Sequence, residues 1–186
     1  MVRPSRFLRE FGMLKLNGEQ IYLRALEPSD LDFLYELENN TAIWEVSGTT
    51  TPYSRHTLQK YLENAHRDIY EVKQLRFCIV NLGHAVLGFI DLFEFDPRHR
   101  RAGLGIVILE EQHRNKGLGA EAIGLVCNYA FRVLDLHQLY AHVLEDNAAS
   151  MQLFRKMGFE NSGTRKEWIL SNGTYKNEVL FQKFNR

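Results

Sequence analysis

The sequence predicts an α+β domain, a mixed and mostly antiparallel sheet flanked by helices. Three observations carry this. Short runs rich in β-branched and aromatic residues fold back through the turn signals Leu82-Gly83-His84 and Asn172-Gly173. An apolar strand over residues 104–109 leads through a glycine-bearing loop into a long helix. That helix shows its core face as Ala120, Ile123, Cys127, Ala130, Phe131 and Leu134, repeating at helical steps.

In chain order, residues 21–26 read as a first strand, stopped by Glu27-Pro28. Ser29 then caps a helix with Asp32 at the capping-box position, and Leu31, Phe33, Leu34 and Leu37 supply its apolar face. Asn39-Asn40 ends it, and a loop rich in threonine and serine follows. Leu58, Tyr61, Leu62, Ala65 and Ile69 suggest a second helix. Residues 76–80 and 86–93 form a hairpin, and residues 96–100 the next turn. Residues 139–144 are a strand, Asn147 is a good N-cap, and Gly158 stops the short helix that Asn147 opens.

Composition limits the classes of function. At 186 residues the chain suits one domain over 1–186, large enough to bury a core without disulfides or metals. Lys plus Arg and Asp plus Glu balance at 23 each, which argues against a nucleic-acid binder that relies on a basic field. No apolar run has the length of a membrane span. Cys78 and Cys127 lie in apolar periodic segments and read as buried, reduced thiols. The seven histidines show no metal-ligand spacing, so no metal is expected. Residues 1–13 carry Arg3, Arg6 and Arg9 among apolar residues and read as an N-terminal arm rather than a secretion signal. A cytoplasmic protein is the expectation.

The chemistry concentrates at Arg114-Asn115-Lys116-Gly117-Leu118-Gly119, at the mouth of the long helix. Helix N-termini offer unpaired amides and partial positive charge, and glycines let a backbone approach a pyrophosphate closely. A second element follows, Asn147-Ala148-Ala149-Ser150 and then Leu153-Phe154-Arg155-Lys156-Met157-Gly158-Phe159. In order and spacing these two elements resemble the GNAT superfamily of acyl-CoA-dependent N-acetyltransferases. The first is similar to its R/Q-x-x-G-x-G/A loop, the second to its N-x-x-S-x-x-x-[YF]-x-K-x-G-F helix. The resemblance spans residues 21–184 and leans to the branch of spermidine and ribosomal-protein N-terminal acetyltransferases. The closer echoes are Glu38-Asn39-Asn40, Arg100-Arg101-Ala102, Asn128-Tyr129-Ala130-Phe131 and Asn172-Gly173-Thr174-Tyr175.

The resemblance implies a GNAT fold with acetyl-CoA as cosubstrate. Pantetheine would lie along Val107, Ile108 and Leu109, and pyrophosphate on the amides of Arg114, Asn115, Lys116, Gly117, Leu118, Gly119 and Ala120, with Asn147 touching the pantetheine arm. Many relatives carry tyrosine, the usual proposed donor to the CoA sulfur, where this chain has Phe154. Ser150, one turn earlier on the same face, is the nearest replacement acid. Where many relatives have glutamate, this chain has Gly103. An alkyl amine near pKa 10.4 is neutral in well under one molecule in about a thousand at pH 7, so a base matters. Asp91 and Glu94 are three apart, which strand alternation places on opposite faces, and Glu94 is the first candidate.

The acceptor expected is a polyamine such as spermidine, paired with carboxylates of the first helices, Glu36 and Glu38 foremost. A protein or peptide N-terminus is the alternative acceptor, and a non-catalytic acyl-CoA-binding module the alternative class. Homo-oligomerisation is left open.

Overall fold

The computed structural model describes residues 16–110, 112 and 116–186; the N-terminal arm, His113, Arg114 and Asn115 lie outside them. Among the described residues seven strands build one sheet. They are β1 (Ile21–Arg24), β2 (Leu75–Asn81), β3 (Val86–Asp96), β4 (Arg101–Ile108), β5 (Gln138–Leu144), β6 (Glu160–Ser171) and β7 (Thr174–Phe184), in the order β1-β2-β3-β4-β5-β7-β6. Every pairing is antiparallel except β4 with β5. Parallel neighbours need a crossover, and the long helix α5 (Leu118–Arg132) supplies it. The remaining helices are α1 (Leu31–Glu38), α2 (Thr41–Ser47), α3 (Arg55–Glu63), α4 (Ile69–Val72) and α6 (Ala148–Lys156).

Two apolar clusters cover the two faces of the sheet. Ala122, Ile123, Val126 and Ala130 of α5 and Met151 and Phe154 of α6 pack with Ile90, Leu92, Leu104, Leu139, Ala141 and Val143. On the other face Leu34, Leu37, Ile43 and Leu58 of α1 to α3 pack with Cys78, Val80 and Phe89. That second layer covers β1 to β4 and leaves the same face of β5 and β7 to solvent-facing polar side chains.

Where local chemistry is decisive, the expected elements form. Asn147 caps α6 by accepting from the Ser150 amide at 3.1 Å. Gly158 takes φ 77° beyond its end, and Asn172 and Gly173 both take positive φ in the β6–β7 turn. Cys78 and Cys127 are buried and unpaired, and burial pushes each thiol up to about 12.

Four expectations are corrected. The loop after Asn40 is helix α2, opened by the Asn40 side chain accepting from Ala42 N at 3.0 Å and closed by Gly48 at φ 70°. The second helix is two, because Asn64 folds back on Lys60 O and Asp68 starts a new turn at Tyr70 N. Ser29 and Asp32 do not cap α1. Pro28 starts a single 3-10 turn in which buried Asp30 accepts from Glu27 N at 2.7 Å, while Asp32 faces solvent and pairs with Arg55. Finally, β3 continues to Asp96 through a bulge between Phe93 and Asp96, with Glu94 at φ 48°.

Candidate active site

Strands β4 and β5 are in register only at Arg101–Gln138, Ala102–Leu139 and Gly103–Tyr140. Beyond that point they part. No β5 residue is registered with Leu104 to Val107, while β5 stays paired to β7 along its other edge as far as Leu144. The gap opens toward the N-terminus of α5. There Gly117 holds φ 85° as the N-cap, with no side chain on the first-turn amides. The amides of Leu118, Gly119 and Ala120 have no partner within the helix. Two further glycines fit the backbone to this region. A Cβ on Gly119 would come within 3.2 Å of Leu153 Cδ2, so its absence lets α5 approach α6. A Cβ on Gly88 would lie 2.0 Å from Val107 O, so its absence lets β3 close on β4.

The resemblance-derived residues divide around this gap. Val107 and Leu109 pack toward α1 to α3 and Ile108 toward α5, all half-buried, and Leu109 N donates to Leu87 O at 3.0 Å. Lys116 and Gly117 are exposed, and Leu118 is buried. Asn147 and Ser150 sit half-buried at the start of α6. Phe154 is 4% exposed, its ring 5.1 Å from Phe159 and 6.2 Å from Phe181 between centroids. Its phenyl is part of the core.

The bulge corrects the placement of Glu94. With one extra residue in β3, Phe93, Glu94 and Asp96 turn away from the core while Phe95 goes into it. Glu94 thus shares a sheet face with Asp91, but Asp91 is largely buried with Arg76 while Glu94 is exposed, and its Oε2 accepts from Tyr140 Oη at 2.5 Å. Burial and this carboxylate raise the Tyr140 phenol above its ordinary range. Glu94, Asp96, Arg101, Gln138, Tyr140, His142, Arg165, Leu180 and Gln182 line an open cleft of about 410 Å³ that runs beside the registered segment of β4 and β5 and reaches past it at His142. The alternation Gln138, Tyr140, His142 on β5 is the signal that could have revealed this wall.

Above Gly103 lies the Phe93 ring: a Cβ there would fall 2.3 Å from Cε2. The missing glutamate is thus replaced by an aromatic wall, which meets Tyr140 edge-on at 6.1 Å.

The expected acidic acceptor cluster is largely committed elsewhere. Glu38 is 2.7 Å from Arg76, which also holds Asp91 at 2.7 Å, all three largely buried. Glu45 binds Lys176, Glu71 binds Arg67, Asp68 caps α4, and Gln59 donates to Glu63. Glu36 is exposed. Trp168 is exposed under Arg165, and Trp44 donates from Nε1 to Glu38 O at 2.8 Å.

Residues 20–160 match the acetyltransferase (GNAT) domain family. The chain belongs to the GNAT family. It is an acetyl-CoA-dependent N-acetyltransferase, in the fold expected from the glycine loop and the asparagine-capped helix. Among its relatives is a spermidine N(1)-acetyltransferase of Vibrio cholerae, 32% identical over 158 residues, covering 85% of this chain and 89% of the relative. A crystal structure of a V. cholerae spermidine N-acetyltransferase in complex with CoA and spermine superimposes with a TM-score of 0.81 at 28% identity, over 90% of this chain and 96% of that one. A dodecameric structure of the V. cholerae enzyme matches with a TM-score of 0.75 at 30% identity, covering 90% and 95%.

Among the described residues no group of His, Cys, Asp and Glu could hold a metal ion, and no helix is long and apolar enough to cross a membrane.

Proposed function

We propose that this enzyme acetylates a polyamine such as spermidine by direct attack of the amine on acetyl-CoA in a ternary complex. The observation that carries the reading is the cleft beside the paired segment of β4 and β5, where Glu94 stands against Tyr140 at the last registered pair and Asp96 lies further along. A cationic acceptor entering there meets carboxylates where a thioester in the gap would end. The relatives named for spermidine support the same acceptor.

In this reading the pantetheine arm adds itself as a strand along β4, and the first-turn amides of α5 receive the pyrophosphate. Glu94 attracts the ammonium group, and Ser150 is the candidate donor to the departing sulfur. A thiol near pKa 8.5 leaves readily at neutral pH, so loss of the phenol at Phe154 is tolerable. Glu36 is the exposed carboxylate of α1 that remains for a distal ammonium. Glu38 is neutralised by Arg76. Assembly into a homo-oligomer, in line with the dodecameric relative, belongs to the same reading.

Steady-state turnover of acetyl-CoA with spermidine, a neutral-tailed arylalkylamine and a short peptide tests it. Spermidine should be the best acceptor, with kcat/KM falling as salt is added. Spermidine turnover at the hydrolytic background beside efficient acetylation of the peptide α-amine would replace the polyamine with a protein N-terminus.

A further inference from the structure

Resting on that reading of the acceptor cleft, we infer that His142, oriented by Glu178, is the base that deprotonates the acceptor amine. His142 stands on β5 two residues beyond Tyr140, the last residue registered with β4, so it lies where the strands have already parted. Its ring lines the cleft and meets Tyr140 edge-on at 5.5 Å. Nδ1 is fully buried, 3.1 Å from Glu178 Oε2 but off the line of a good hydrogen bond. Glu178 is 9% exposed, and its Oε2 also takes a hydrogen bond from Arg165 at 2.9 Å.

A buried nitrogen 3.1 Å from a buried carboxylate favours the tautomer with its proton on Nδ1. With Nδ1–H turned to Glu178, Nε2 is the nitrogen left for the cleft, with its lone pair available. A base held by a third group in this way is the arrangement that nucleophile activation uses generally, and apo geometries of such pairs are often loose until substrate binds. Imidazole is also the side chain whose charge changes nearest neutral pH. Glu94 is better suited to the opposite task. Its Oε2 is occupied by Tyr140, and as an anion at the cleft wall it attracts the incoming ammonium.

The step balances as follows. The acceptor R–NH3⁺ gives one proton to His142 Nε2, and the R–NH2 formed attacks the thioester carbonyl carbon. The C–N bond forms and the C–S bond breaks. The second amine proton leaves the nitrogen as the amide forms, the thiolate takes up one proton, and the imidazolium returns its proton to solvent. Glu178 stabilises the imidazolium in the interval.

The charged and titratable groups facing His142 are Tyr140 on its own strand, Glu178 on β7, Arg165 on β6, Glu94 and Asp96 on β3 and Arg101 on β4. Their signs predict the variants. H142Q should lower kcat for spermidine by about 10²-fold and abolish the inflection that the base gives the pH profile of kcat. Acetyl-CoA affinity and Tm should stay near wild type. E178Q, which removes the charge favouring imidazolium, should move that inflection to lower pH, and R165A should move it to higher pH. Added imidazole should restore part of the activity of H142A.

Wild type that acetylates spermidine, beside H142Q with unchanged kcat and inflection, would overturn the assignment. So would an H142A loss that imidazole does not relieve together with an unmoved inflection in E178Q, since that pattern marks a structural role. Wild type that leaves spermidine unacetylated counts against the acceptor instead; the same comparison is then read on a peptide α-amine, with the same expected outcomes.

Discussion

Placing a methyl group on Gly103 tests the aromatic wall directly. A Cβ there would sit 2.3, 2.4 and 2.7 Å from three carbons of the Phe93 ring. Carbon atoms rest about 3.5 Å apart at their closest comfortable approach, so the ring must retreat by about 1.2 Å. Gly103 has no positive φ, so the substitution meets no backbone strain of its own. Overpacking of this kind costs about 1–3 kcal/mol. With Phe93 cut back to alanine the obstacle is gone, and Gly103→Ala should then stabilise by about 0.4–1 kcal/mol through the unfolded chain. The double-mutant cycle therefore predicts a coupling of about 1.4–4 kcal/mol, overlapping the upper part of the ~0.5–3 kcal/mol range for residues in contact. Urea denaturation of the four proteins measures it. Additive effects, or Gly103→Ala costing the same in both backgrounds, would refute the claim that the ring occupies the space of the missing side chain.

Three further outcomes are expected. Gly117→Ala must hold a left-handed φ of 85°, at a cost of about 1–2 kcal/mol, and should weaken acetyl-CoA binding, read by calorimetry on the folded variant; unchanged affinity would sink the pyrophosphate assignment. Phe154→Tyr puts a hydroxyl into the Phe159–Phe181 cluster and should lower stability by about 1–3 kcal/mol, with kcat unchanged unless the hydroxyl reaches the sulfur; Ser150→Ala should lower kcat more than it changes KM. Asp30 is buried, which works to raise its pKa, but the Arg24 fork at 2.7 Å, the Glu27 amide and the Cys78 thiol prevail and hold it below the usual carboxylate range. A depressed folded pKa gives stability that is full above the unfolded value near 4 and is lost as pH falls through the folded one. Asp30→Asn should cost about 1–3 kcal/mol at pH 7 by removing the charge that Arg24, itself 28% exposed, pairs with, and should flatten the acid limb of the Tm profile.

Features set by neighbours in sequence could be read without coordinates. The period of α5, the Asn147 cap, the glycine before α5 and the Asn172-Gly173 turn are each decided within a few residues. What could not be read depends on contacts across the sheet. The bulge at Glu94 breaks the period of two, so alternation put Glu94 on the wrong face. Gly103 looked like a lost carboxylate because nothing local says that Phe93 lies above it. Glu38 looked available because Arg76 comes from a different strand. Tyr140 and His142 alternate properly on β5, yet their importance emerges only when Glu94 and Glu178 arrive from β3 and β7. Helix α2 was hidden by its setting between serine- and threonine-rich segments.

The three registered pairs that join β4 to β5 also divide the sheet mechanically. Strands β1 to β4 on one side and β5, β7 and β6 on the other share little hydrogen-bonded backbone, and α5 bridges them mainly by side-chain packing. An extended cosubstrate arm laid in the gap would be the missing rung of the ladder, so its binding energy is at the same time cohesion between two halves of one fold. Amide hydrogen exchange should then show β5 and β7 opening more readily than β2 and β3 in the free protein, with the difference closing as acetyl-CoA saturates.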